Sequence, residues 1–87
     1  MSLRLQVIGR DGPLTSVGPV DEVTARRREE HFDEGSLVSI RPRHAPMLML
    51  TAPGEIIWRQ GTAERHVDVG RGVLEVLDDF VTVVITG

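Results

Sequence analysis

Apolar and polar residues alternate along much of this chain in short runs separated by glycine, proline and aspartate, and a two-residue period marks β-strands with one buried face. Leu3, Leu5 and Val7 fall on one side with Arg4 and Gln6 on the other, and Gly9-Arg10-Asp11-Gly12-Pro13 ends that run in a dense turn signal. Val20 to Ala25 reads as strand, and Arg26 to Glu34, with Phe32 its only apolar side chain, as a solvated loop. Leu37 to Ile40 is a further short strand. Met47 to Leu50 is apolar without alternation, which predicts a strand buried on both faces. Ala52-Pro53-Gly54 turns the chain into Glu55 to Arg59, and Gln60-Gly61-Thr62 closes a hairpin with Ala63 to Val69. In that return strand Ala63, Arg65, Val67 and Val69 share one face, and Glu64, His66 and Asp68 the other. After Gly70-Arg71-Gly72, the runs Val73 to Leu77 and Phe80 to Ile85 form a last hairpin around Asp78-Asp79. No stretch carries the i, i+3, i+4, i+7 stripe of an amphipathic helix. About eight to ten short strands sharing one core predict an all-β fold, either two packed antiparallel sheets or a closed barrel, because a single open sheet would leave an apolar face wet.

Composition narrows the function classes. With 87 residues the chain has room for one domain, 1–87, and with two Phe, one Trp and no Tyr its core must be aliphatic. Thirteen acidic against ten basic residues give a net charge of -3, so no overall positive field is available to hold a nucleic acid. The absence of cysteine removes disulfides and thiolate metal sites. No apolar run approaches the roughly 18 residues of a membrane-spanning helix, so any membrane association is expected through a partner and not by direct insertion.

Candidate chemistry is sparse. His31, His44 and His66 stand 13 and 22 residues apart, which fits no short metal-ligand spacing. Ser16, Ser36 and Ser39 lack a nucleophile-elbow context, and adjacent carboxylates such as Asp78-Asp79 suit a turn better than paired acid–base work. Gly70-Arg71-Gly72 lacks the Lys-Ser/Thr that would grip phosphate, and the charge of Arg26-Arg27-Arg28 is largely cancelled by Glu29-Glu30. These features predict no catalytic residue and no cofactor. Arg41-Pro42-Arg43-His44-Ala45-Pro46 differs, since two prolines remove backbone donors and stiffen the loop. Alternation would place Arg41 and Arg43 on one rim, ready to meet carboxylates or carbonyls of another protein at low entropic cost; a plain exposed loop is the competing reading.

The segment Glu34-Gly35-Ser36-Leu37-Val38-Ser39-Ile40-Arg41-Pro42-Arg43-His44-Ala45-Pro46-Met47-Leu48 resembles the signature of the epsilon subunit of F-type ATP synthases, a glycine-rich approach to Pro-Gly-His-Ala-Pro and two apolar residues. Leu5-Gln6-Val7-Ile8, Pro53-Gly54-Glu55-Ile56, Val67 to Val76 and Val81-Thr82-Val83-Val84 resemble the family's further segments in the same order, so the likeness spans nearly the whole chain. Arg43 stands where the family has glycine, Ser39 replaces a second glycine, and Ser36 replaces an acid that commonly meets the rotor ring. Arg43 with Trp58 resembles the divergent, sodium-type or alternate branch. The resemblance implies a two-sheet sandwich at the foot of the central stalk, on the cytoplasmic face of the cell membrane. There it binds the gamma subunit and the membrane rotor ring and couples proton or sodium flow to catalysis in other subunits. It also implies Glu34, Ser36, Arg41, Arg43 and His44 as ring-side and gamma-side contacts, with Gly9, Arg10 and Met49 near gamma. The chain ends at Gly87, where the family's helical hairpin would begin.

Overall fold

The computed structural model of the chain describes residues 1–29 and 35–87. Among these residues there are nine strands and no helix: β1 (Leu3–Gly9), β2 (Gly12–Val20), β3 (Glu22–Arg26), β4 (Leu37–Ile40), β5 (Met47–Thr51), β6 (Gly54–Gln60), β7 (Ala63–Val69), β8 (Gly72–Leu77) and β9 (Phe80–Ile85). They form a five-stranded sheet in the order β2-β1-β9-β8-β5 and a four-stranded sheet in the order β4-β3-β6-β7, a sandwich, which is one of the two architectures that the pattern allows and the one that the resemblance implies. One pairing departs from the antiparallel rule, because β1 and β9 run parallel with Leu5 beside Val81 and Val7 beside Val83. Parallel neighbours need a long connection. Here nearly the whole chain lies between them, through both sheets.

The chain changes sheets at four corners. Asp21 alone separates β2 from β3, so Val20 to Ala25 is not one strand; the Asp21 N–H donates to the Arg59 carbonyl across the corner at 2.8 Å. β2 itself was not legible from alternation, since Pro13, Gly18 and Pro19 break it up. The other three corners are the loop 41–46, Ala52-Pro53 before Gly54 at φ 138°, and Gly70-Arg71. At this last corner a Cβ on Gly70 would collide with the Gly87 carbonyl, and one on Gly72 would lie 2.7 Å from the Val84 carbonyl oxygen and 3.0 Å from Thr51 Oγ1. Close backbone approach, and not phosphate binding, requires these two glycines.

The core lies between the sheets. Leu3, Leu5, Val7, Met49, Leu74, Val76, Val81 and Val83 face inward from the five-stranded sheet and Val23, Ala25, Ile40, Ile56 and Trp58 from the four-stranded one. Each fully buried aliphatic side chain contributes about 1.5–3 kcal/mol of transfer free energy. The result is a stiff body with principal extents of 35 × 27 × 22 Å.

Candidate docking surfaces

The loop between β4 and β5 is built around a turn at Pro42-Arg43. Proline pre-sets the first central position, and Arg43 at φ 67° takes the left-handed second position, the type II arrangement in which glycine is favoured. That conformation accounts physically for the glycine that the resembled signature carries here. The loop is fastened to both sheets. The Arg43 N–H donates to Asp79 Oδ1 at 2.6 Å, on the β8–β9 turn of the five-stranded sheet, and the Arg43 Nε–H points at the Met1 thioether. Arg41 Nε donates to Glu22 Oε2 at 2.8 Å, on β3 of the four-stranded sheet. Arg41 and Arg43 therefore do not share one rim, because each is drawn to a charged or polar partner on a different sheet. His44 is half-buried, its Nδ1 2.7 Å from the Ala45 carbonyl oxygen.

The remaining expected contacts do not join this loop. Registers of Leu3 with Val20, Arg4 with Phe80, Leu77 with Phe80 and Met47 with Val76 put the loop at one end of the sandwich. Gly9 and Arg10 lie at the opposite end, on the turn that follows the Ile8–Val84 pair. Ser36 is at that far end too: its carbonyl accepts the Arg27 N–H at 2.8 Å, and Arg27 bridges to Thr51 at the end of β5. Glu34 lies outside the described residues, as does most of the expected 26–34 loop; Arg26 is the last residue of β3. Met49 is 6% exposed and belongs to the core. Its strand offers Leu48 and Leu50 to solvent instead.

This exposure corrects the expectation that Met47 to Leu50 is buried on both faces, since Leu48 is 71% and Leu50 40% exposed. The outer face of the five-stranded sheet carries an apolar row across its width, Leu50, Val73, Val84, Ile8 and Pro13, each beside the next in register. A polar row, Glu75, Thr82, Gln6 and Ser16, runs parallel to it, and beyond that Leu77 and Phe80 lie exposed beside Arg4. Sequence reasoning missed this surface. Its signal is the apolar residues at the outward positions of β5, β8 and β9, where alternation calls for polar ones.

The outer face of the four-stranded sheet is charged. Glu22, Arg59 and Glu64 are cross-strand neighbours, and Glu55 lies opposite Asp68. His66 is exposed there, its Nδ1 3.9 Å from Glu55 Oε2, as the strand pattern predicts. A shallow hollow of about 370 Å³ on this face is lined by Arg26, Leu37, Gly54, Glu55, Ile57 and Asp68. It brings together no nucleophile with a base and an orienting group. Asp78 and Asp79 form the tight turn of the last hairpin at φ 50° and 62°. Among the described residues no three His, Cys, Asp or Glu side chains are placed to hold a metal ion, and no helix is long and apolar enough to cross a membrane.

Comparison with known proteins matches residues 2–86 to the family model described as the ATP synthase Delta/Epsilon chain, beta-sandwich domain. The ATP synthase epsilon chain of Acidithiobacillus ferridurans is 32% identical over 83 residues, covering 95% of this chain and 54% of the relative. That of Geobacter metallireducens is 38% identical over 66 residues, covering 76% of this chain and 44% of the relative. The chain thus spans about half the length of these curated relatives. The fold also matches chains in the cryo-EM structures of two mitochondrial ATP synthases. One is from Euglena gracilis (OSCP/F1/c-ring), with TM-score 0.82 and 18% identity over 99% of this chain and 51% of that one. The other is from Tetrahymena thermophila (central stalk/c-ring), with TM-score 0.74 and 12% identity over 100% and 65%. The sandwich, the proline-braced loop and the family match over nearly every residue agree: the chain belongs to the ATP synthase delta/epsilon family, of which it is the β-sandwich domain.

Proposed function

We propose that this domain is a non-catalytic central-stalk element of an F-type ATP synthase. On this reading it docks on the gamma subunit and on the membrane rotor ring and couples proton or sodium movement to ATP synthesis or hydrolysis in other subunits. The observation that carries the reading is the apolar row Leu50–Val73–Val84–Ile8–Pro13 on the outer face of the five-stranded sheet. Apolar side chains left contiguous on a sheet face and rimmed by polar ones such as Glu75 and Gln6 mark a protein contact. Torque must pass through many distributed contacts on a stiff body, and a sandwich with a continuous, largely aliphatic core supplies that stiffness. A coupling element must also touch two partners at once. Of the contact positions that the resemblance implies, Arg41, Arg43 and His44 lie at one end and Gly9, Arg10 and Ser36 at the other, while Met49 belongs to the core and Glu34 lies outside the described residues. The solved assemblies that share the fold contain a c-ring, one of them with its central stalk, which supports the same placement. The site is peripheral, on the cytoplasmic side of the membrane, and needs no insertion of its own.

The test is capture of a purified gamma subunit, alone and bound to the rotor ring, by this chain. Wild type is expected to bind, and Arg41→Glu with Arg43→Glu to bind at least about tenfold less while remaining folded, since both side chains are exposed. No capture of gamma, together with capture of an unrelated peptide along a sheet edge, would replace this reading by that of a general β-sandwich adaptor.

A further inference from the structure

We propose that Asp79 is the positioning residue of the docking loop, a role that rests on the stalk reading and adds to it a residue from a distant part of the chain. Asp79 is 36 residues from Arg43 in sequence, yet its Oδ1 accepts the Arg43 N–H at 2.6 Å. Its main-chain carbonyl accepts the Arg4 N–H at 3.0 Å. One residue thus ties the first strand, the last hairpin and the loop together. The hydrogen bond is charge-assisted, a carboxylate receiving a backbone donor, which is the stronger class.

The turn does not require an aspartate for its own sake. Leu77 pairs directly with Phe80, leaving Asp78 and Asp79 as the two central residues, both at positive φ. Such a two-residue turn is most stable with asparagine and glycine at its centre. An aspartate at the second position at φ 62° is conformationally costlier than glycine, and its carboxylate is spent on the neighbouring loop. Arg43 has the matching difficulty, a long side chain at φ 67°. A turn holding a non-glycine residue in that region persists where the surroundings over-determine it. Asp79 supplies that determination, Pro42 the preset φ beside it, and Arg41–Glu22 the tether on the other sheet. Together they hold the Arg43 backbone at the end of the sandwich, with its Nε–H directed at the Met1 thioether.

Two substitutions in the 87-residue chain separate positioning from fold. Asp79→Gly suits the turn and deletes the acceptor; Asp79→Asn tolerates the same φ and keeps an acceptor oxygen. Amide hydrogen exchange at Arg43 is expected to speed up at least about tenfold in Asp79→Gly and to stay within about threefold of wild type in Asp79→Asn, while amides of β8 and β9 keep their protection in both. Capture of the gamma–ring subcomplex is expected to weaken about tenfold in Asp79→Gly and to be largely rescued by Asn. Unchanged Arg43 exchange in Asp79→Gly overturns the positioning role. Faster exchange with undiminished capture overturns its importance for docking, and equal losses across all β8 and β9 amides make Asp79 a turn residue only. Failure of the wild-type chain to bind gamma or the ring would instead overturn the stalk reading, leaving the exchange result to decide the geometry by itself.

Discussion

The two outer faces of the sandwich are made from the same backbone pattern and filled with opposite chemistry. On the four-stranded sheet the outward positions include Glu22, Arg59 and Glu64, then Glu55, His66 and Asp68, with Arg26, Thr24, Ser39 and Ile57 among them and Leu37 as a strongly exposed apolar side chain. On the five-stranded sheet they include Leu48, Leu50, Val73, Leu77, Phe80 and Val84. Both faces cover the same core, so the requirement to fold cannot account for the difference. A face that only needs to stay dissolved is free to be charged, whereas an apolar one carries a solubility cost that association removes. The proposed function accordingly gives protein contact to the five-stranded side and solvent to the other.

The largest expected effect breaks this comparison directly. Val73→Glu with Val84→Lys puts an opposed ion pair at the centre of the apolar row, avoiding like-charge repulsion between the two strands. Capture of gamma should fall at least about 100-fold, or about 2.7 kcal/mol, while stability changes by no more than about 1 kcal/mol. Glu64→Lys with Asp68→Lys, the matched change on the charged face, should alter capture by less than about twofold. Equal losses from both pairs, measured by titration against gamma and by thermal melting, would show that the faces are not distinct.

How much of this was legible beforehand follows from where periodicity and tertiary contact diverge. Leu3, Leu5 and Val7 alternate with polar residues on a strand whose outer face is largely wet, so the pattern reports the burial correctly. Leu48 and Leu50 defeat the same rule because both stand at outward positions of β5 and are exposed, where the pattern calls for polar side chains. β2 defeats it because Pro13 and Pro19 sit in an edge strand, where a missing donor is tolerated. The loop was recognisable from Arg41 to Pro46 alone. Its fastening was not, since spacing along a chain says nothing of a partner 36 residues away, and the divergence of Arg41 from Arg43 depends on Glu22 and Asp79 being on different sheets.

A middle-sized effect belongs to the loop that links the two faces. Arg43→Gly removes a side chain from the left-handed region and should stabilise the domain by about 1 kcal/mol, raising Tm by about 4–8 °C. Docking at that end should weaken at the same time through loss of the guanidinium. A lower Tm would mean that the contact of Arg43 with Met1 outweighs the backbone cost.

The smallest effect is the one that tests whether the charged face is energetically quiet. The Arg41–Glu22 bond is short at 2.8 Å, but the Arg41 side chain is 74% exposed and that of Glu22 21%. An ion pair in that setting gains little Coulomb energy in high dielectric and gives up side-chain freedom, so Glu22→Gln should cost no more than about 0.5 kcal/mol. At 1 M salt the screening length shrinks to about 3 Å and even that difference should fade. Denaturant melts of the two proteins at low and high salt measure it. A loss above about 1.5 kcal/mol that survives 1 M salt would mean the tether holds the loop as firmly from the four-stranded side as Asp79 does from the other, and the charged face would then be part of the docking apparatus instead of its solvated back.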